Sequence, residues 1–358
     1  MPRRRMMIRK APGAAVRQRR TRRPPSVVDV ARAAGVSPMT VSNVVNGHRG
    51  LVLDATRRKV EAAIKHLGYR PQAAGRRLRL ARQFSIGMIL VDESPSFLAD
   101  PFITQLVAGL SNHLSERDYA LVIQAVSASN FARSSLIRRA ETDALCALLS
   151  GVRAARIRLA KRLAAIDHPL ILFQEPLSAA VTDGCSIRQN DFAGARSLAD
   201  LVLERGARRL LFLVPALAWP AVEERERGIR AAATSRRLPL AVLPCGEGDV
   251  AAVGTTLDHY AQRRELPDAI LGANDQIGIA AMKWLRRRGL RVPEDVVVTG
   301  YNAFEFWSYS EPVLTTVRSP AYDMGARGGA VILDRLQHGR FHKREEIFPV
   351  SLQIGGST

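Results

Sequence analysis

The positive charge of this chain is concentrated in its first quarter. Residues 1–82 carry 21 Lys and Arg against Asp29, Asp54 and Glu61 alone, whereas residues 83–358 carry 32 basic against 30 acidic groups, so +18 of the net +20 lies before residue 83. Self-repulsion makes so local a surplus costly unless a polyanion neutralises it, and nucleic acid is the leading partner. A GC-rich coding bias would explain 47 Arg to 6 Lys, but not the shortage of acids in this one segment. The rest of the chain, nearly neutral and of ordinary apolar content, has the length to bury a large core. No apolar run approaches the roughly 20 residues of a spanning helix. Arginines stand where a secretory signal places its apolar core, so the expected location is the cytoplasm, on the nucleoid when bound to DNA. Cys146, Cys185 and Cys245 form no C-x-x-C pair and the seven histidines show no ligand spacing, so neither a cysteine-held metal nor a disulfide framework is expected.

Residues 1–25 hold ten basic groups, four prolines and no acid, which predicts a disordered basic arm. From residue 26 the pattern turns helical. Ser26 can cap a helix whose Val27, Val30, Ala31 and Ala34 recur at i, i+3, i+4 and i+7, and Gly35 ends it. Ser37 caps a second helix with Pro38 at its first position. Two short helices joined by Gly35-Val36-Ser37 make a helix-turn-helix. Val41, Val44 and Val45 form the inner face of the second helix, which turns Pro38, Met39, Ser42, Asn43 and Asn46 outward. That outer set is uncharged and hydrogen-bond capable, as suits base edges rather than a solvated surface. Asp54 is expected to cap a third helix with Val60, Ile64 and Leu67 inside and Gly68 at its end. Residues 26–70 are thus a DNA-binding domain. In the linker 71–83, Pro71 can open a helix that is marginal by its length, by Gly75, and by the repulsion of Arg76 and Arg79 at i, i+3.

Beyond residue 83, apolar runs (85–91, 120–124, 145–149, 170–173, 210–214, 269–271 and 296–299) alternate with amphipathic stretches (102–114, 192–204, 221–236 and 276–288, with 324–337 after the last run). This alternation predicts a doubly wound α/β domain with ligands at the carboxyl ends of its strands. No dinucleotide fingerprint, phosphate loop, H-E-x-x-H or G-x-S-x-G is present, which disfavours an enzyme on this core. A pure solute-binding protein would have no use for residues 26–82.

SVVDVARAAGVSPMTVSNVVNG (26–47) followed by TRRKVEAAIKHLGYRP (56–71) resembles the headpiece of the lac/galactose-repressor family of bacterial transcription regulators. Further matches are IGMILVD (86–92), Gly194-Ala195-Arg196, LGANDQIGIAAMKWLRRRGLRVPEDVVVTGYN (271–302) and LTTVRSPAYDMG (314–325). The resemblance implies an all-α headpiece with a hinge helix, then a two-lobed α/β core like that of periplasmic sugar-binding proteins over 84–358. The lobes would be about 84–188 with 319–346, and about 189–318 with 347–358. It further implies a homodimer or tetramer, a pseudo-palindromic operator and a small-molecule effector, a sugar or sugar acid, in the cleft between the lobes. DNA contacts map by it onto Ser37, Pro38, Met39, Thr40, Ser42, Asn43, Asn46, Arg76 and Leu78, with Leu78 as a minor-groove wedge. Effector contacts map onto Phe102, Asn190, Arg225, Asn274, Asp275 and Asn302, with Arg225 as a bidentate donor. The chain departs from the family pattern at Asn302, where Asp is usual, at Asn190-Asp191, which reverse the usual order, and at Val250, often an aromatic. Phe304, Phe306, Trp307 and Tyr309 make an aromatic loop for which the cleft and the subunit interface are both open.

Overall fold

A computed structural model describes residues 23, 25–45, 47, 49–69, 82–94, 96–139, 141–246 and 249–358. Most of the expected basic arm, together with Asn46, Gly75, Arg76 and Leu78, lies outside the described residues. The chain divides into two compact units, Met1–Ala81 and Arg82–Thr358.

In the first unit α1 spans Val27–Ala34, α2 Pro38–Val45 and α3 Asp54–Leu67. A reciprocal cap opens α1. The Asp29 N–H donates to Ser26 Oγ at 3.4 Å and the Ser26 N–H donates to Asp29 Oδ2 at 2.8 Å. The Ser26 hydroxyl, which donates to Asp29 Oδ2 at 2.7 Å, and then the Ser26 N–H hold the Asp29 carboxyl down at about 2. Gly35 ends the helix at φ 67°, a left-handed position that suits glycine. Ser37 Oγ then accepts from the Thr40 N–H at 3.1 Å and starts α2. One expectation is corrected: Asp54 lies in the first turn of α3, and Leu53 stands at the cap without a side-chain bond. Val30, Ala31, Val41, Val44, Val60, Ala63 and Tyr69 form a small core.

Among the described residues the second unit holds three sheets. A six-stranded parallel sheet contains β1 (Ser85–Val91), β2 (Ala120–Val126), β3 (Ala144–Leu149), β4 (Leu170–Phe173), β5 (Gly184–Gln189) and β11 (Glu345–Phe348), in the order β11-β5-β4-β3-β1-β2. A four-stranded parallel sheet contains β6 (Leu210–Pro215), β7 (Leu240–Cys245), β8 (Ala269–Gly272) and β9 (Val297–Thr299), in the order β7-β6-β8-β9. β10 (Thr316–Arg318) and β12 (Ser351–Gln353) pair antiparallel. Helices α4 (Pro101–Ser115), α5 (Ser135–Arg139), α6 (Arg153–Ala164) and α11 (Ala321–His338) accompany the first sheet. Helices α7 (Asp191–Glu204), α8 (Pro220–Ser235), α9 (Val250–Ala261) and α10 (Asp275–Arg287) accompany the second. The two sheets with their helices are two lobes.

β1 shows why the strands read as unbroken apolar runs. It is buried along its whole length, with Ile86, Met88 and Leu90 in the cluster on one face and Ile89 and Val91 in the cluster on the other. The chain passes between the lobes around Asn190, Ser319 and Pro349, where the Asn190 N–H donates to Phe348 O (2.9 Å) and Ser319 N–H to Asn302 O (3.0 Å). The sequence reading missed β5, β7 and β10 to β12. In β5, GCSIRQ, only Cys185 and Ile187 join a hydrophobic cluster, while Ser186 Oγ donates to Glu175 O.

Candidate functional site

On α2 the spacing predicts the burial of Val41 and Val44 and the exposure of Pro38 and Met39, whereas Val45, expected inside, is half-buried like its polar neighbours. Val41 and Val44 are buried, Pro38 and Met39 are exposed, and Thr40, Ser42 and Asn43 are half-buried. Met39 is 66% exposed, an apolar thioether held in water beside polar neighbours. Ser37 and Thr40 hydroxyls lie 2.9 Å apart and orient each other. A helix of this make-up offers short donors, acceptors and one apolar contact, the set that distinguishes base pairs in a major groove.

The second unit has a cleft between its lobes, at the carboxyl ends of both parallel sheets. Each sheet reverses its strand order there, β2-β1-β3 in one and β7-β6-β8 in the other, and such reversals leave a crevice. Leu148 is the last residue but one of β3, Gln174 follows β4, Pro215 closes β6, and Ala273 and Asn274 follow β8. The starts of α4 and α8 supply Asp100, Phe102 and Trp219, and Asn302 completes the wall. The space between these residues, counting what is open to solvent, is about 520 Å³.

A buried polar network fixes the floor of this cleft. Arg225 Nε donates to Asp191 Oδ1 at 2.8 Å, one terminal nitrogen to Ala273 O at 2.5 Å and the other to Asn302 Oδ1 at 3.2 Å. Its guanidinium lies 3.7 Å from the centre of the Tyr301 ring. Burial alone would lower the Arg225 pKa, but the Asp191 carboxylate and Tyr301 more than reverse this, and the group stays charged. Asp191 is held from its other side by Gln174 and Gln189, and Ser319 Oγ donates to Gln189 Oε1 at 2.6 Å. Asp100 turns its carboxylate onto the Phe102 and Ile103 N–H groups at the start of α4, and burial raises its pKa against those bonds.

The expected effector residues therefore separate. Phe102, Arg225, Asn274 and Asn302 line the cleft. Asn190 is exposed and accepts from the Ala193 N–H, capping α7. Asp275 is buried beneath, where Thr316 Oγ1 donates to its Oδ1 at 2.5 Å. Burial pushes the Asp275 carboxyl up to about 7. Asp191, Ala273 and Asn302 occupy three of the five N–H groups of Arg225, one on each of its nitrogens, and leave one on each terminal nitrogen. The sequence reading missed Asp191, whose role is a pairing across helices, and Trp219, which supplies an aromatic wall where Val250 does not. Val250 lies in a different depression with Phe306. In the aromatic loop Phe304 packs on the core of the first lobe, while Tyr309 is 83% exposed.

Asp334, His338 and His342 come together at the end of α11, a grouping that the sequence reading missed. Each carboxylate oxygen of Asp334 is met by one imidazole nitrogen, at 2.9 and 3.2 Å. Both histidines are exposed and each already meets Asp334, so no metal is assigned to the group.

A family model described as bacterial regulatory proteins, lacI family, matches residues 26–72, and a periplasmic binding protein-like domain matches 199–358. The HTH-type transcriptional regulator CelR of Thermobifida fusca is 30% identical over 88% of this chain and 93% of its own length. The ribose operon repressor of Escherichia coli K12 is 28% identical over 92% of this chain and 98% of its own. Among solved structures, the lac repressor dimer bound to operator and the anti-inducer ONPF superposes with a TM-score of 0.80 at 26% identity, covering 94% of this chain and 99% of that one. A CelR–cellobiose complex superposes with a TM-score of 0.68 at 26% identity, covering 93% and 100%.

Proposed function

The chain belongs to the lacI family of bacterial regulatory proteins, and from that premise we propose that this transcription regulator binds a pseudo-palindromic operator as a homodimer and is released or recruited by a neutral sugar in its inter-lobe cleft. The observation that carries the effector class is the charge state of the cleft. Among its described lining residues Arg225 is the one cation, and Asp191 already neutralises it, with the Asp100 carboxyl nearby. A carboxylate ligand would add an anion to this balance. A polyol can use Asn274, Asn302 and Gln174 and stack on Trp219 or Phe102. The sugar named in the CelR complex and the ribose named for the ribose repressor support the class, though each belongs to its own protein.

On DNA, Ser37, Pro38, Met39, Thr40, Ser42, Asn43 and Asn46 form the reading surface, and two such helices in a dimer address two half-sites. Asn43 pairs best with adenine N6/N7, where many relatives carry an arginine suited to guanine. Arg76 meets phosphates and Leu78 enters the minor groove at the operator centre. Thermal-shift titration with glucose, ribose and cellobiose against gluconate and galacturonate tests the effector. Stabilisation by a neutral sugar and none by the acids is expected, and the reverse order would reject the assignment. A gel shift on the chain's own promoter tests the operator. With the sugar found above added, DNA affinity should change by about 5- to 150-fold, the usual span of allosteric coupling.

A further inference from the structure

The lobes also meet beside the cleft, through a second ion network. Arg156, on α6 of the first lobe, has a side chain only 2% exposed. Its Nε donates to Glu175 Oε2 at 2.5 Å, and one terminal nitrogen donates to Gly151 O at 2.5 Å and Glu223 Oε1 at 2.8 Å. The other donates to Glu223 Oε2 at 2.7 Å. Gly151 and Glu175 belong to the same lobe as Arg156, following β3 and β4, but Glu223 belongs to the other lobe, in the first turn of α8. Next to it the Gly151 N–H donates to Ala218 O at 2.8 Å, a backbone bond across the same gap.

We infer that Arg156, Glu175 and Glu223 form a charge latch that holds the two lobes together, with Arg156 as the positioning residue of the effector response. The distribution of charge makes the latch reversible. Arg156 keeps Glu175 as its partner when the lobes part, so no lone charge stays buried. Glu223 is 41% exposed, so its released carboxylate enters water readily. The forked guanidinium gives the closed state a defined geometry that a lysine would not. α8 carries both Glu223 and the cleft residues Trp219 and Arg225, so a ligand that displaces the start of this helix also strains the latch. The regulatory role rests on reading the cleft as the effector site, whereas the latch itself can be tested with no ligand present.

Hydrogen exchange on the full chain reads it out. Local exchange follows the opening equilibrium of the segment concerned. Glu223→Gln keeps the shape and removes the charge at a half-exposed position, and Arg156→Lys keeps the charge and removes the fork. In both, peptides containing Gly151 and residues 219–224 should exchange about tenfold faster, while 85–91 and 210–215 exchange as in the wild type. Unchanged exchange at Gly151 in both variants would overturn the latch. So would a uniform rise across both lobe cores, which would mean plain destabilisation. A failed sugar screen would leave this result standing, and a failed exchange test would leave the effector reading standing.

Discussion

The cleft depends on single charges whose partners lie far apart in the chain. Asp191 and Arg225 are 34 positions apart, yet each is the reason the other can be buried. Arg225→Met should destabilise the fold by about 3–5 kcal/mol in urea unfolding, because it strands a buried carboxylate. Adding Asp191→Asn should recover most of that loss, and a double variant no better than the single one would contradict the pairing. Asp275 gives a pH signature. Its pKa is raised by burial, to about 7 in the folded chain against roughly 3.9 when unfolded. The group therefore stabilises the fold fully only below the unfolded value, and that contribution is lost as pH rises through about 7. The gain in stability from Asp275→Asn should grow between pH 4 and 7, to at most about 4 kcal/mol, and then level off. Thermal unfolding of both proteins across that range checks the sign.

Among the helices, close approach is decided by glycine. A Cβ on Gly325 of α11 would stand 2.0 Å from Leu106 O, and one on Gly109 of α4 would stand 2.0 Å from Tyr322 O. The two helices of the first lobe touch backbone to backbone at these points. Gly325→Ala should cost about 1–3 kcal/mol or more, since the obstacle is a carbonyl that cannot rotate away. Gly35→Ala is a contrasting case. Nothing crowds that position, and its cost comes from the left-handed φ alone. Chemical denaturation of both variants should show the larger loss at Gly325. In the headpiece the elements were legible because caps and helix-ending glycines are local signals: Ser26, Gly35, Ser37 and Gly68 all act on neighbours within four residues. Asp54 misled because a residue suited to capping can also sit in the first turn of a helix, where an acid is equally favoured.

At the scale of the whole molecule, a strongly basic reading domain and a nearly neutral sensor share one chain. If the basic segment acts through phosphates, raising salt from 50 to 200 mM should weaken operator binding by roughly 10³–10⁵-fold for 6–10 contacts. A nearly flat salt dependence in a gel shift would contradict the electrostatic reading. Leu78→Ala should weaken binding to the operator and leave non-specific DNA affinity nearly unchanged, because a wedge acts only at a step that can be unstacked. Equal losses on both DNAs would count against it.

The sequence alone determined the class of each part, because charge, helix caps and apolar periodicity are properties of neighbouring residues and survive in one dimension. It showed the buried valines of α2 and most of the buried strands of the core. It did not show that Asn190 would cap a helix at the surface while Asp191 held Arg225, that Trp219 would wall the cleft, or that Arg156 would bridge to Glu223. Those outcomes depend on which residues the crossing of two parallel sheets brings within hydrogen-bond distance, and burial is what makes each such pairing obligatory. Only the folded chain sets both conditions.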